Sequence, residues 1–195
     1  MAWLARHLKK RGFAVHRFPY HSRQASIADH AAQLRQFASA LPNDTVHYVA
    51  HSLGGCVVWQ LLNEYPDRKP GRVVALGTPF LGSRVAGMLA GSGWGRWLLG
   101  PGGIDGLLAP VRVGEKPPEI GIIAGISPHG AGRLFCRFDG PSDGTVAVAE
   151  TRLPGATAHL TIRTTHTGLL LSPAVARNVN GFLATGHFPD APAGV

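Results

Sequence analysis

The apolar positions of this chain switch repeatedly between a helical and an alternating period. Trp3, Leu4 and Leu8 recur at helical spacing and predict a first helix, with Gly12 as its stop. Phe13 to Phe18 alternates in part and ends at Pro19, which predicts a strand. Ser26-Ile27-Ala28-Asp29 reads as a capping box. Behind it Ile27, Ala31, Leu34, Phe37 and Leu41 stripe one face of a helix that ends before Pro42. Val46 to Ala50 predicts a strand, and the stretch from Cys56 to Tyr65 is apolar nearly all round, as a buried helix is. Arg72 to Leu76, Glu119 to Ile126 and Thr157 to Thr164 predict further strands, while Val146 to Glu150 reads as a short strand or a turn. Ser172-Pro173 supplies an N-cap and an N1 proline for a last amphipathic helix through Val175, Val179, Phe182 and Leu183, stopped by Gly186.

Strands that alternate with helices predict an α/β fold with a mostly parallel sheet and right-handed crossovers. At 195 residues the chain fits one domain, without repeats or an internal boundary. The stretch 83–118 breaks the rhythm: Gly91-Ser92-Gly93-Trp94-Gly95 and Gly100-Pro101-Gly102-Gly103 punctuate short apolar pieces. So long an irregular connection is either functional or an ordinary loop around a buried tryptophan, and both readings stand here.

Ala50-His51-Ser52-Leu53-Gly54-Gly55 joins the Val46 strand to the buried helix. A serine between small residues on such a turn suits a nucleophile elbow, where side chains at 50 and 54 would otherwise collide. Ser52 would project from the strand end, and the Leu53 N–H would face charge developing on an attacked carbonyl. A serine needs a base, and ten histidines compete for the role. His7, His16, His21, His30 and His47 precede the elbow, and strand alternation turns His51 away from its neighbour Ser52. His166, just beyond the last strand, fits the order Ser…Asp…His, while His159 inside that strand reads as structural. Asp139, Asp143 and Glu150 all lie in position to orient the base, and Ser142-Asp143-Gly144 is also turn chemistry.

Four local words, Ala-His-Ser-Leu-Gly-Gly, Gly77-Thr78-Pro79, Ser142-Asp143-Gly144-Thr145-Val146 and Thr165-His166-Thr167-Gly168, resemble in content and order those of bacterial lipases and esterases of the α/β-hydrolase fold. The resemblance runs from about Trp3 to Phe188. It implies a three-layer fold around a central sheet of about five or six strands, and a carboxylic-ester hydrolase with Ser52, Asp143 and His166 as catalytic triad. Asp139 is then the reserve acid. The same resemblance makes 83–118 a cap over an acyl pocket, with His51, Phe80, Trp94 and Trp97 as substrate contacts. It implies neither cofactor nor metal.

One part of the family pattern is missing. A first hydrophobic strand and a His-Gly loop, which supplies the second oxyanion donor, should precede the first helix; His129-Gly130 lies after the nucleophile. By family topology that strand lies between Phe13–Phe18 and the elbow strand. Those two strands then pair directly, or the chain is a fragment, or a partner fills the gap. Tyr20, His21 or Ser22 becomes the candidate substitute donor.

Composition narrows the partners. With 45% hydrophobic and 15% charged residues the chain is globular, and no apolar run reaches membrane-spanning length. Met1 to Arg11 lacks a secretory core, which predicts a cytoplasmic protein. A net charge of +8 would favour anionic lipid surfaces or simply form a solvated face. Specific nucleic-acid binding is not expected, since Lys9-Lys10-Arg11 lacks interleaved aromatics. Cys56 and Cys136 permit at most one disulfide, and Cys56 reads as a buried thiol. The partner expected is therefore a small acyl ester or lipid, with peripheral contact to a lipid surface open. A thioesterase or acyltransferase would use the same triad, and a hydrolase scaffold without chemistry would keep the same fold.

Overall fold

The computed structural model describes residues 1–65, 70–111, 118–129 and 137–191. Its centre is a sheet of four parallel strands in the order β1 (Val46–His51), β2 (Pro70–Leu76), β3 (Ile120–Gly125) and β4 (Ala158–Ile162). Helices α1 (Ala2–Lys9) and α6 (Pro173–Thr185) pack on one face, and α2 (Ile27–Ser39) and α3 (Leu53–Glu64) on the other. The period of two sorts the strand residues between the layers. Tyr48, Ala50, Val73, Ala75, Ile120 and Ile122 join the α2–α3 core, while Val74, Leu76, Ile123 and Leu160 join the α1–α6 core. Every residue of β3 is buried, as a parallel strand covered on both faces should be.

Local chemistry sets the helix ends as predicted. Ser26 and Asp29 form a reciprocal capping box on α2, and Ser172 accepts the Val175 N–H at the start of α6. Gly186, left-handed at φ 81°, ends α6. Cys56 is a buried free thiol whose desolvation pushes its pKa up to about 12; Cys136 lies outside the described residues.

Two expectations change. Residues 13–18 run beside β1 without joining a ladder, so among the described residues the sheet has four strands rather than five or six. β1 therefore keeps one open edge, and a cavity of about 970 Å³ lies between that edge and residues 13–20. A strand needs an adjacent backbone to hydrogen-bond, and no segment lies close enough for Phe13–Phe18 to use. Second, the glycine-punctuated stretch is helical: α4 (Arg84–Ala90) and α5 (Gly93–Leu107), the latter kinked at Gly100. Ser83 and Ser92 cap these helices by accepting the Ala86 and Gly95 N–H groups, so the serines mark helix starts within what reads as a loop. Val146–Glu150, for which a short strand or a turn is expected, is a turn, with one bridge between Ser142 and Ala147 and a 3₁₀ turn over Ala149–Thr151.

Candidate active site

The C-terminal ends of the strands bring together the residues expected to form the site. At the end of β1 the chain turns sharply into α3, and Ser52 sits at φ 54°, ψ −129°. Among the described residues it is the only non-glycine with positive φ. Such strain persists only where surrounding contacts impose it. Here the Ser52 N–H donates to the Leu76 carbonyl at 2.9 Å, and the buried Thr78 hydroxyl donates to the Ser52 carbonyl at 3.0 Å. The expected collision between positions 50 and 54 is not the constraint, since a Cβ at Gly54 would lie at an ordinary 3.9 Å from the Ala50 Cβ; it is Gly55 that must be small, because a Cβ there would strike Thr78 Oγ1 at 2.1 Å. The Ser52 side chain makes no capping bond to α3, which leaves its hydroxyl outside the helix's own hydrogen bonding. Leu53 and Gly54 open that helix, where N–H groups have no intrahelical acceptor.

Asp143 and His166 meet at the ends of β3 and β4. Asp143 is 1% exposed, and its Oδ2 lies 2.6 Å from His166 Nδ1. Its Oδ1 accepts the N–H groups of Thr145 (2.9 Å) and Val146 (2.7 Å), and its carbonyl accepts the His166 N–H at 3.0 Å. One aspartate thus closes a turn and holds an imidazole at once. Asp139, the reserve acid, instead lies on the surface and pairs with Arg84 at 2.6 Å. Glu150 is buried but spent, its two oxygens accepting the Arg84 and Ala147 N–H groups at 2.8 Å each. His159 packs its Nε2 against Thr151 Oγ1 at 2.8 Å, a structural contact as expected.

Gly77 links the two halves, and sequence reasoning assigned it no role. It follows Leu76, the acceptor of the Ser52 N–H, and adopts φ 53°. A Cβ there would come within 3.1 Å of both Asp143 Oδ2 and His166 Nδ1. Gly125 plays a similar part at the end of β3, where a Cβ would lie 2.7 Å from the Asp143 Cβ. The signal for both is a glycine at a strand's C-terminal end, where the backbone must admit a side chain.

The predicted contacts separate. The His51 ring lies 4.5 Å from that of His166, and its Nε2 is 3.0 Å from the His166 carbonyl. Burial first, then the neighbouring His166, lowers the His51 pKa to about 4. Phe80 is fully buried against Trp59, so it is a core residue rather than a substrate contact. Trp94 and Trp97 on α5 are 61% and 68% exposed, and Trp97 carries Arg23 over its ring. The Tyr20 hydroxyl lies 3.4 Å from where a Gly54 Cβ would stand, beside the elbow, with its ring against Phe18 and His30. Burial, then Cys56, raises the Tyr20 pKa and keeps the phenol a donor. His21 is exposed. Among the described residues no cluster of His, Cys, Asp and Glu could hold a metal, and no helix is long and apolar enough to cross a membrane.

A family model described as alpha/beta hydrolase fold matches residues 6–92. No curated protein sequence matches the chain. Among solved structures, the mature lipase BlEst2 of Bacillus licheniformis is 22% identical at TM-score 0.60, over 84% of this chain and 75% of that one. The metagenomic carboxyl esterase MGS0156 is 21% identical at TM-score 0.69, over 95% of this chain and 64% of that one. The type II thioesterase BorB from the borrelidin biosynthetic cluster is 18% identical at TM-score 0.52, over 86% of this chain and 73% of that one. The chain also spans 48% of the propeptide form of BlEst2. The architecture is the α/β-hydrolase fold.

Proposed function

We propose that this α/β-hydrolase fold works as a serine carboxylic-ester hydrolase, with Ser52 as nucleophile, His166 as base and Asp143 as its orienting acid. The observation that carries the reading is the buried Asp143–His166 pair at 2.6 Å, together with a serine at the end of β1 whose backbone is forced to φ 54°. Asp143 on Nδ1 leaves His166 Nε2 to take the Ser52 proton as Oγ attacks the ester carbonyl. The negative oxygen that forms is met by the Leu53 N–H and the Tyr20 hydroxyl. His166 then protonates the departing alcohol, leaving an acyl-serine. Water, deprotonated by the same imidazole, attacks that ester and releases the carboxylic acid and the free serine.

The lipase and esterase likenesses support an ester substrate, an uncharged acyl group being suited to the exposed apolar face of α5. The likeness to BorB favours a second reading, an acyl-thioester substrate for the same triad. A fluorophosphonate probe followed by p-nitrophenyl butyrate turnover tests the proposal. Labelling at Ser52, lost in Ser52→Ala, is expected; an unlabelled wild-type protein without turnover overturns it. A higher kcat/KM on a butyryl thioester than on the matched ester would select the second reading.

A further inference from the structure

His51 ends β1, its Cα paired in register with Leu76, and it is covalently next to Ser52. The other ties on His166, through its main-chain N–H and its Nδ1, both run to Asp143. The His51 contact is therefore a link of another kind. It joins the segment bearing His166 to the strand that carries Ser52, without passing through Asp143. A carbonyl oxygen can only accept, so the 3.0 Å contact requires the proton on His51 Nε2 and fixes that tautomer.

We propose that His51 is a positioning residue: its Nε2–H bond to the His166 carbonyl, with its ring against the imidazole, holds the base in register with the nucleophile. The inference rests on the esterase reading and deepens it. The groups facing His51 are His166, Asp143 and the chain's amino terminus. A neutral ring is what this position needs, because a charged one would oppose the imidazolium formed on His166 during turnover. Burial supplies that neutrality. A substrate contact, the role implied by the resemblance, would instead leave Nε2 free toward the acyl group.

Three variants separate these roles with p-nitrophenyl acetate, each confirmed as folded by its melting transition. His51→Ala is expected to lower kcat about ten- to a hundred-fold, since slight misplacement of a catalytic group is that costly. KM should stay within about twofold. His51→Gln keeps a donor near the Nε2 position and should restore most of kcat; His51→Phe keeps a ring without the donor and should not. Unchanged turnover in His51→Ala, equal rescue by Phe and Gln, or a loss confined to KM would each overturn the proposal. If His51→Ala does not fold, the Gln and Phe pair decides alone. Nitrogen NMR of the imidazoles reads the His51 tautomer without any turnover. A His51 ring protonated on Nδ1 and bare on Nε2 would overturn the inference even in a protein with no esterase activity, so the two readings fail separately.

Discussion

The two margins of the sheet treat their polar groups in opposite ways. At the C-terminal ends of β2, β3 and β4 the loops are bonded back to the strands: Gly77 to Ile123, Ile126 to Ile162, Ser127 to Thr164 and His166 to Asp143. Along the outer edge of β1, residues 13–20 lie across a cavity of about 970 Å³ and share no ladder with the strand. Both regions are built from apolar, strand-forming sequence. What distinguishes them is a neighbouring backbone, and where it is present loops can be held tightly enough to bring Asp143 and His166 to 2.6 Å. The proposed chemistry is concentrated on the paired margin, and on that proposal substitutions there should cost far more than substitutions along the open one.

The largest effects are expected at the paired margin. Ser52→Ala should abolish fluorophosphonate labelling and lower kcat by at least about 10⁴-fold. Asp143→Asn should leave a labelled but slow enzyme, about 10⁴-fold down in kcat, because the amide stabilises the wrong imidazole tautomer. A stopped assay on p-nitrophenyl butyrate with both purified variants checks the pair. Near-wild-type turnover by Asp143→Asn would place the acid elsewhere and break the comparison at its strongest point.

Tyr20 tests whether the open side contributes to the chemistry at all. Its hydroxyl stands 3.4 Å from where a Gly54 Cβ would be, and as the proposed second oxyanion donor it predicts that Tyr20→Phe lowers kcat about 100- to 1,000-fold with little change in stability. Unchanged turnover in Tyr20→Phe would confine the chemistry to the paired margin and leave the Leu53 N–H as the proposed donor.

How much of this was legible follows the same division. The tight turn at Ser52, the capping box on α2, the Ser172 cap and the strand feeding Ser52 are local, written within a few residues of one another, and the structure has each of them with ends shifted by a few positions. His166 is singled out by the order Ser…Asp…His along the chain and Asp143 by its match to the wording of the resembled family, and the fold brings the two to 2.6 Å. Phe13–Phe18 was read as a strand because alternation reports a tendency and not a partner. The stretch 83–118 was read as a loop because its glycines mask helical spacing, and at Gly95 a Cβ would strike the Leu89 backbone, so close packing explains the choice. Phe80 was misassigned since a phenylalanine near a site and one in the core look alike in sequence. The sequence offers His51 only as a substrate contact and gives Gly77 no role, because the His51–His166 contact and the close approach at Gly77 depend on where separate strands end in space.

Stability should show the contrast as well. Ile123, fully buried in β3, should cost about 2–5 kcal/mol on truncation to Ala, by urea unfolding. The His51 pKa adds a pH signature. Its folded value of about 4 lies below the unfolded 6.5, so the unfolded chain binds the extra proton between those values. Stability should therefore fall as pH drops from about 6.5 to about 4, by at most about 3 kcal/mol from this group. His47 and His159, also lowered by burial, act in the same direction. His51→Gln should lose less stability than wild type over that window; parallel pH curves would show that His51 is not held neutral by the fold.

The smallest effect is expected on the open side. Val15 is partly buried, packs on the edge of the α1–α6 core and lines the cavity. Its backbone joins no ladder, so neither strand geometry nor a paired neighbour depends on its side chain. Val15→Thr replaces a methyl by a hydroxyl that the cavity leaves room to hydrate, and it should change unfolding free energy by about 0.5 kcal/mol or less. The same exchange at Val74, fully buried in β2, places a hydroxyl where no space remains and should cost about 1–3 kcal/mol. Urea midpoints of the two variants measure the contrast directly. Equal losses would mean that residues 13–18 are held as firmly as the ladder itself, and that the open edge of β1 is closed more tightly in solution than its lack of pairing implies.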